Sequence, residues 1–293
     1  TGFKTAVGGN IGEPLLSLPQ PAAGLTYVLE VSSFQLDLTT SLRADVAVLL
    51  NISPDHLDRH GDMANYVAAK RRIFANQTRD DTAIVGVDDA FAQGICAELS
   101  ANGDRKLIPI SAEGALGRGV FALSGKLFYN FDAKTGEAGA VRAIATLKGS
   151  HNWQNAAAAL AVAMTEGVAP AVAIKSMERF KGLAHRLEIV GKIGPVTFVN
   201  DSKATNADAA ARALNAYDDI FWIAGDRPKS GGAESLRNLM SHVRGVYLIG
   251  EAAKEFESQL AGAAPCTQCG DLSAAVARAG RDSHGVINLF DIV

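Results

Sequence analysis

Short apolar runs alternate along this chain with longer, alanine-rich stretches, and that alternation limits the possible folds more than any other feature. The runs YVLEV (27–31), DVAVLLNIS (45–53), TAIVGV (82–87), TFVND (197–201), IFWIAGD (220–226) and VYLIG (246–250) are strand-sized. Most lack a polar alternation, as expected for parallel strands covered on both faces. Between them, WQNAAAALAVAMTEG (153–167), NADAAARALNAY (206–217), AAKEFESQLAG (252–262) and LSAAVARAGRD (272–282) read as helices. The succession predicts a doubly wound α/β architecture. Residues 114–147 differ, with short aromatic or aliphatic alternations and turn signals such as SGK and KTGE, and predict a small antiparallel sheet. GLAHR (182–186) separates a helix from a new βαβ-like series, so two domains are expected, 1–182 and 183–293.

The remaining bulk features narrow the class. With 28 basic and 31 acidic residues the net charge is −3, which argues against a nucleic-acid coat or a polybasic membrane patch. An anionic substrate would have to be held by a few placed cations. No apolar run is long enough to span a bilayer, and TGFKTAVGGN has no signal-peptide pattern. Cys96, Cys266 and Cys269 are too few for a disulfide scaffold, which favours a reduced, cytoplasmic protein. The C-x-x-C in PCTQCG lacks the two further ligands of a structural zinc site and reads as a loop. Both ends, Thr1 and GVINLFDIV, look cut.

Chemistry concentrates at strand ends, where open parallel sheets gather their ligands. DVAVLLNIS is followed at once by PDHLD, which displays Asp55, His56 and Asp58 at such an edge. His56 suits a metal or a phosphate; the plainer reading is a loop that starts a helix. On ANYVAAKRRIFA, the residues Tyr66, Lys70, Ile73 and Phe74 share one face, while Arg71 and Arg72 point elsewhere. A lysine on a packed stripe must snorkel, pair or lose its charge. A desolvated, neutral amine can add carbon dioxide and become an anionic carbamate. Glu30 closes an apolar strand and is either a Mg²⁺ ligand or a carboxylate facing water. GGNIGEPLL brackets Asn10 with glycines that permit close backbone approach. Asn152 and Asn155 lie at a helix start, where they can face a base or sugar, or one can be only a cap. Arg186 stands at the domain junction, and VNDSKATN brings Asp201, Ser202, Lys203, Thr205 and Asn206 to another strand end favourable to anions. AGDRPKSGG adds Arg227 and Lys229 in a glycine-rich loop.

Taken in order, GGNIG, EVSSFQL, NISPDHLDRHG, YVAAKRRIF, GSHNWQNAAAA, GLAHR and NDSKATN resemble the Mur ligase superfamily over nearly the whole chain. The resemblance implies a central ATPase domain followed by a Rossmann-like domain that receives the amino acid. It implies ATP-dependent addition of D-glutamate to UDP-N-acetylmuramoyl-L-alanine through an acyl phosphate, in peptidoglycan precursor synthesis. Asn10 and Ser32 would line the UDP-sugar; Glu30 and His56 would hold Mg²⁺, with Lys70 carbamylated as a further ligand. Asn152, Asn155, Arg186 and Asp201 would hold ATP, and Lys203 and Thr205 with Lys229 would receive D-glutamate, Arg227 being the alternative to Lys229. No nucleic acid, no membrane insertion and a monomer are implied. The sequence has no G-x-x-x-x-G-K-[ST] phosphate loop and lacks the family's N-terminal domain and last C-terminal segment, so the chain as given is expected to be inactive. Two other readings are a sibling ligase that adds a different amino acid and a non-catalytic binding or scaffold protein.

Overall fold

The structure, a computed structural model, describes residues 2–225 and 232–283 together with the backbone of 226 and 286–289. The chain divides into two compact units, residues 1–141 with 153–178, and residues 142–152 with 179–293. The segment 142–152 thus groups with the second unit, an excursion that a single cut in the sequence does not describe.

In the first unit, β1 (Lys4–Gly9) and β2 (Leu25–Glu30) form a parallel two-stranded sheet. A six-stranded sheet runs in chain order: β3 (Val46–Leu49), β4 (Thr82–Gly86), β5 (Lys106–Ser111), β6 (Gly119–Leu123), β7 (Lys126–Phe131) and β8 (Lys134–Ala140). β3 to β6 are parallel, and β6, β7 and β8 form the antiparallel meander anticipated from the turn signals. Every residue of β4 is buried, which is why its run of apolar residues shows no alternation. Ala83 and Val85 join Ala47, Leu49, Phe74, Ile95 and Leu99 in one core. Gly86 is required at the β3–β4 contact, because a Cβ there would lie 1.7 Å from the Leu50 carbonyl oxygen. Just before β4, the buried Asp81 carboxylate accepts from Arg43 Nε and Nη2, each at 2.9 Å, and from the Thr78 amide at 2.6 Å. Those donors hold its pKa well below the usual carboxylate range.

The second sheet comprises β9 (Glu188–Ile193), β10 (Val196–Asn200), β11 (Ile220–Asp226), β12 (Val243–Gly250), β13 (Cys266–Gly270) and β14 (Val286–Leu289). Its order is β13-β12-β11-β14-β10-β9, parallel throughout except for the β9–β10 pair. Alternate residues feed two cores on opposite faces. Trp222, Ala224, Val246 and Leu248 join one, and Phe221, Ile223, Tyr247 and Ile249 the other. PCTQCG is therefore a strand and not a loop. Cys266 packs against the first core and Cys269, at a bulge, against the second, so the pair cannot converge on one metal. Lys229 and Arg227 lie outside the described residues.

Candidate functional site

Three strand ends of the first unit deliver the Lys70 cluster. β1 runs into Asn10 and β2 ends on Glu30, and the Asn10 amide donates to Glu30 Oε1 at 3.0 Å. The approach depends on glycine: Gly9 adopts φ +116°, and a Cβ on it would lie 2.3 Å from the Glu30 carbonyl oxygen. Ser32 caps the helix Ser33–Leu38 in a reciprocal capping box with Gln35, which fixes the chain just past Glu30. After β3, the loop turns through His56 in a left-handed conformation (φ 52°, ψ 29°), with His56 Nε2 at 3.6 Å from Asp55 Oδ2. The His56 ring packs edge-on against Phe34, centroids 5.0 Å apart.

The helix Met63–Arg71, capped by Asp62, carries Tyr66 buried and Lys70 half-buried, the stripe anticipated from spacing. Lys70 Nζ sits 5.0 Å from the centroid of the Tyr66 ring. Burial lowers the Lys70 pKa, while Asp55 and Glu30 act in the opposite direction. Burial, with Asp55 assisting, pushes the Tyr66 hydroxyl up to about 12, so it stays protonated beside the lysine. The structure thus brings Asn10, Glu30, Asp55 and Lys70 into one electrostatic neighbourhood, with His56 on the loop that carries Asp55. Among the described residues no group of three or more His, Cys, Asp or Glu side chains is gathered as a metal site. The neighbourhood offers the Glu30 and Asp55 carboxylates and the His56 imidazole, and the Lys70 amine binds a cation only in another chemical form.

Several residues here escaped the sequence reading. His60 is buried, its Nε2 lies 3.1 Å from Ser33 Oγ, and its ring packs between Phe34 and Tyr66. Behind β3, β4 and β5, Gln154 joins the strand ends: Asn51 donates to its Oε1 at 3.0 Å, and its Nε2 donates to Asp88 Oδ2 at 2.8 Å. Asp88 also accepts from Ser111 Oγ at 2.5 Å. The helix begins at Ser150, so Asn152 lies inside its first turn and donates to the Lys148 carbonyl at 2.8 Å. Asn155 is exposed, while the neighbouring Gln154 is the buried anchor.

In the second unit, β10 ends at Asn200 and presents Asp201, which is buried yet accepts the Leu187 amide at 2.9 Å. Burial raises its pKa to about 6, against the lowering effects of the Leu187 amide and of Arg186. Arg186 lies in a tight turn in which both neighbours, His185 (φ 62°) and Leu187 (φ 46°), have left-handed backbones. Asn200 and Glu188 tie this turn down through His185. Lys203 is exposed, Thr205 half-buried, and Asn206 caps the helix Ala207–Leu214. Arg186, Asp201, Lys203 and Thr205 thus belong to one strand end and the turn tied to it.

Residues 11–163 match the Mur ligase middle domain, and residues 185–285 match the Mur ligase glutamate ligase domain. The chain belongs to the Mur ligase family. It is 54% identical over 282 residues to UDP-N-acetylmuramoylalanine--D-glutamate ligase of Caulobacter sp. (strain K31), covering 96% of this chain and 60% of that protein. The ligase of the same description from Rhodospirillum rubrum is 49% identical over 279 residues, 94% of this chain and 58% of that protein. The chain therefore spans about three fifths of the length of the curated relatives it matches. Among solved structures, MurF ligase of Thermotoga maritima in complex with ADP superposes with a TM-score of 0.70 at 20% identity, over 99% of this chain and 70% of that one. MurF of Acinetobacter baumannii gives 0.65 at 20% identity, over 92% and 61%. At that identity the likeness establishes the Mur ligase fold and nothing finer. No helix of the described residues is long and apolar enough to cross a membrane.

Proposed function

We propose that this chain forms the nucleotide-handling and amino-acid-receiving parts of an ATP-dependent ligase that adds D-glutamate to UDP-N-acetylmuramoyl-L-alanine. The observation that carries this reading is the 54% identity over 96% of the chain to a D-glutamate ligase, joined to a glutamate ligase domain match. In it, residues 1–182 serve ATP and the UDP-sugar, and residues 183–293 receive the amino acid.

The reaction proceeds in two stages: the substrate carboxylate takes the γ-phosphoryl group of ATP to give an acyl phosphate, and the D-glutamate amine then displaces phosphate. Asn10 and Ser32 orient the UDP-sugar, and Asn152, Asn155, Arg186 and Asp201 hold ATP. Lys203 and Thr205, with Lys229 or Arg227, receive D-glutamate. Glu30 and His56 would hold Mg²⁺, whose chemistry when bound is to neutralise charge on the transferring phosphoryl group. The amine of Lys70 fits that set as a carbamate. Burial depresses its pKa and so enlarges the neutral fraction that attacks carbon dioxide; the product is an anion where an ammonium would repel the metal.

The test is phosphate release from ATP by the longer protein containing this chain, supplied with UDP-N-acetylmuramoyl-L-alanine and single amino acids. Release that requires D-glutamate supports the proposal. Release with another amino acid moves the chain to a sibling ligase, and no release from folded protein overturns the enzyme reading.

A further inference from the structure

The helix that carries Lys70 has a second, cationic side. Arg71 and the following Arg72 line an open cleft of about 490 Å³, whose wall Arg59 and Asn65 extend, and Asp37 is the acidic side chain in its described lining. Three guanidinium groups thus meet around one cleft in a chain with net charge −3, and they differ in how they are held. Arg59 pairs with Asp37 at 3.1 Å, and Arg71 pairs with Glu98. Arg72 is held differently: its Nε donates to the Leu36 carbonyl at 2.8 Å and its Nη2 to the Thr39 carbonyl at 2.6 Å. Two main-chain carbonyls aim this guanidinium without neutralising it, and Nη1 has no partner among the described residues. An adjoining depression of about 210 Å³ shares Arg71 and Arg72 and adds Phe74, Leu99 and Arg105. The cations therefore stand beside a partly apolar trough.

We propose that the Arg59–Arg71–Arg72 cleft binds a phosphate group, and that the Phe74–Leu99 trough takes the organic part of a phosphomonoester. Arginine suits this ligand because its planar fork matches phosphate oxygens. The site is separate from the Lys70 cluster and does not depend on the ligase reading. His60 links the two regions: it lines the cleft, and its ring contacts Phe34 and Tyr66, which touch His56 and Lys70 in turn.

The test is an NMR titration of the isotopically labelled 293-residue chain at constant ionic strength, following the arginine Nε–H and histidine ring signals. Orthophosphate and phenyl phosphate are the probes, and sodium chloride is the control. Saturable shifts of Arg59, Arg71 and Arg72, with His60 following, support the site. Arg71→Gln, which loses only a surface pair, should weaken binding ~10-fold with the fold intact, the effect of one lost hydrogen bond to a charged group. Tighter binding of phenyl phosphate supports the trough's part in the site, and equal binding overturns that part and leaves a site for free phosphate. Linear shifts matched by chloride overturn the proposal. So do shifts confined to the His56 ring, which would place the anion in the ligase cluster instead.

Discussion

At the scale of single residues, Lys70 and Asp201 show burial acting on opposite charges. For Lys70, burial favours the neutral amine, while Glu30 and Asp55 keep the ammonium accessible. Lys70→Ala and Lys70→Arg in the longer protein should both lower ligation, by ~10²-fold or more if the group stabilises the transferring charge. The arginine variant is the more informative, because it keeps the positive charge but cannot form a carbamate; phosphate release with and without bicarbonate checks both. For Asp201, burial favours the protonated acid and raises its pKa to about 6. A carboxyl whose folded pKa exceeds its unfolded value stabilises the fold at low pH, and that contribution disappears as pH rises through the folded pKa. The window runs from about pH 4 to pH 6 and the contribution is on the order of 3 kcal/mol. Asp201→Asn cannot ionise, and its side-chain oxygen can still accept the Leu187 amide. Urea denaturation should therefore show the variant more stable than the parent at pH 8, with the two converging at pH 4.

Elements are held where side-chain absence permits contact. β3 and β4 approach closely because Gly86 carries no Cβ against the Leu50 carbonyl, and the Gln154 amide would also lie 3.0 Å from such an atom. Gly86→Ala must push the strands apart or move Gln154, loosening the Asn51–Gln154–Asp88 bridge. A loss of ~2 kcal/mol or more is expected from overpacking and a broken buried network, read from the urea midpoint. The strands that were legible in the sequence are the mainly apolar ones: β2, β3, β4, β10, β11 and β12 overlap the short runs rich in Val, Ile and Leu. The strands that were not legible carry breakers or polar residues. β1 ends on two glycines, β5 contains Pro109, and β13 is Cys-Thr-Gln-Cys-Gly at the sheet edge. In each, pairing with neighbours overrides a weak local preference.

The whole molecule consists of two units with separate cores, each large enough to unfold by its own transition. Scanning calorimetry should give a van't Hoff enthalpy smaller than the calorimetric one, as for chains that depart from two-state behaviour. At this scale the sequence disclosed the layer architecture, the meander, and the residues that strand ends and helix faces put on display: Asn10, Glu30, Lys70 and Asp201. It did not disclose partners distant along the chain. Gln154 reaches Asn51 across 103 positions and Asp88 across 66, and His60 meets Ser33 across 27, contacts that no local period encodes. Residue 142–152 docking on the second unit is equally a tertiary outcome.

The placing of Cys266 and Cys269 on opposite faces of β13 has a use at the bench. Three steps along an extended strand separate their Cα atoms by roughly 10 Å, beyond the reach of a disulfide. While β13 is paired with β12, mild oxidation cannot join them. A Cys266–Cys269 crosslink found by mass spectrometry after oxidation would therefore count the molecules in which this edge strand had peeled away, making the two thiols a clock for fraying.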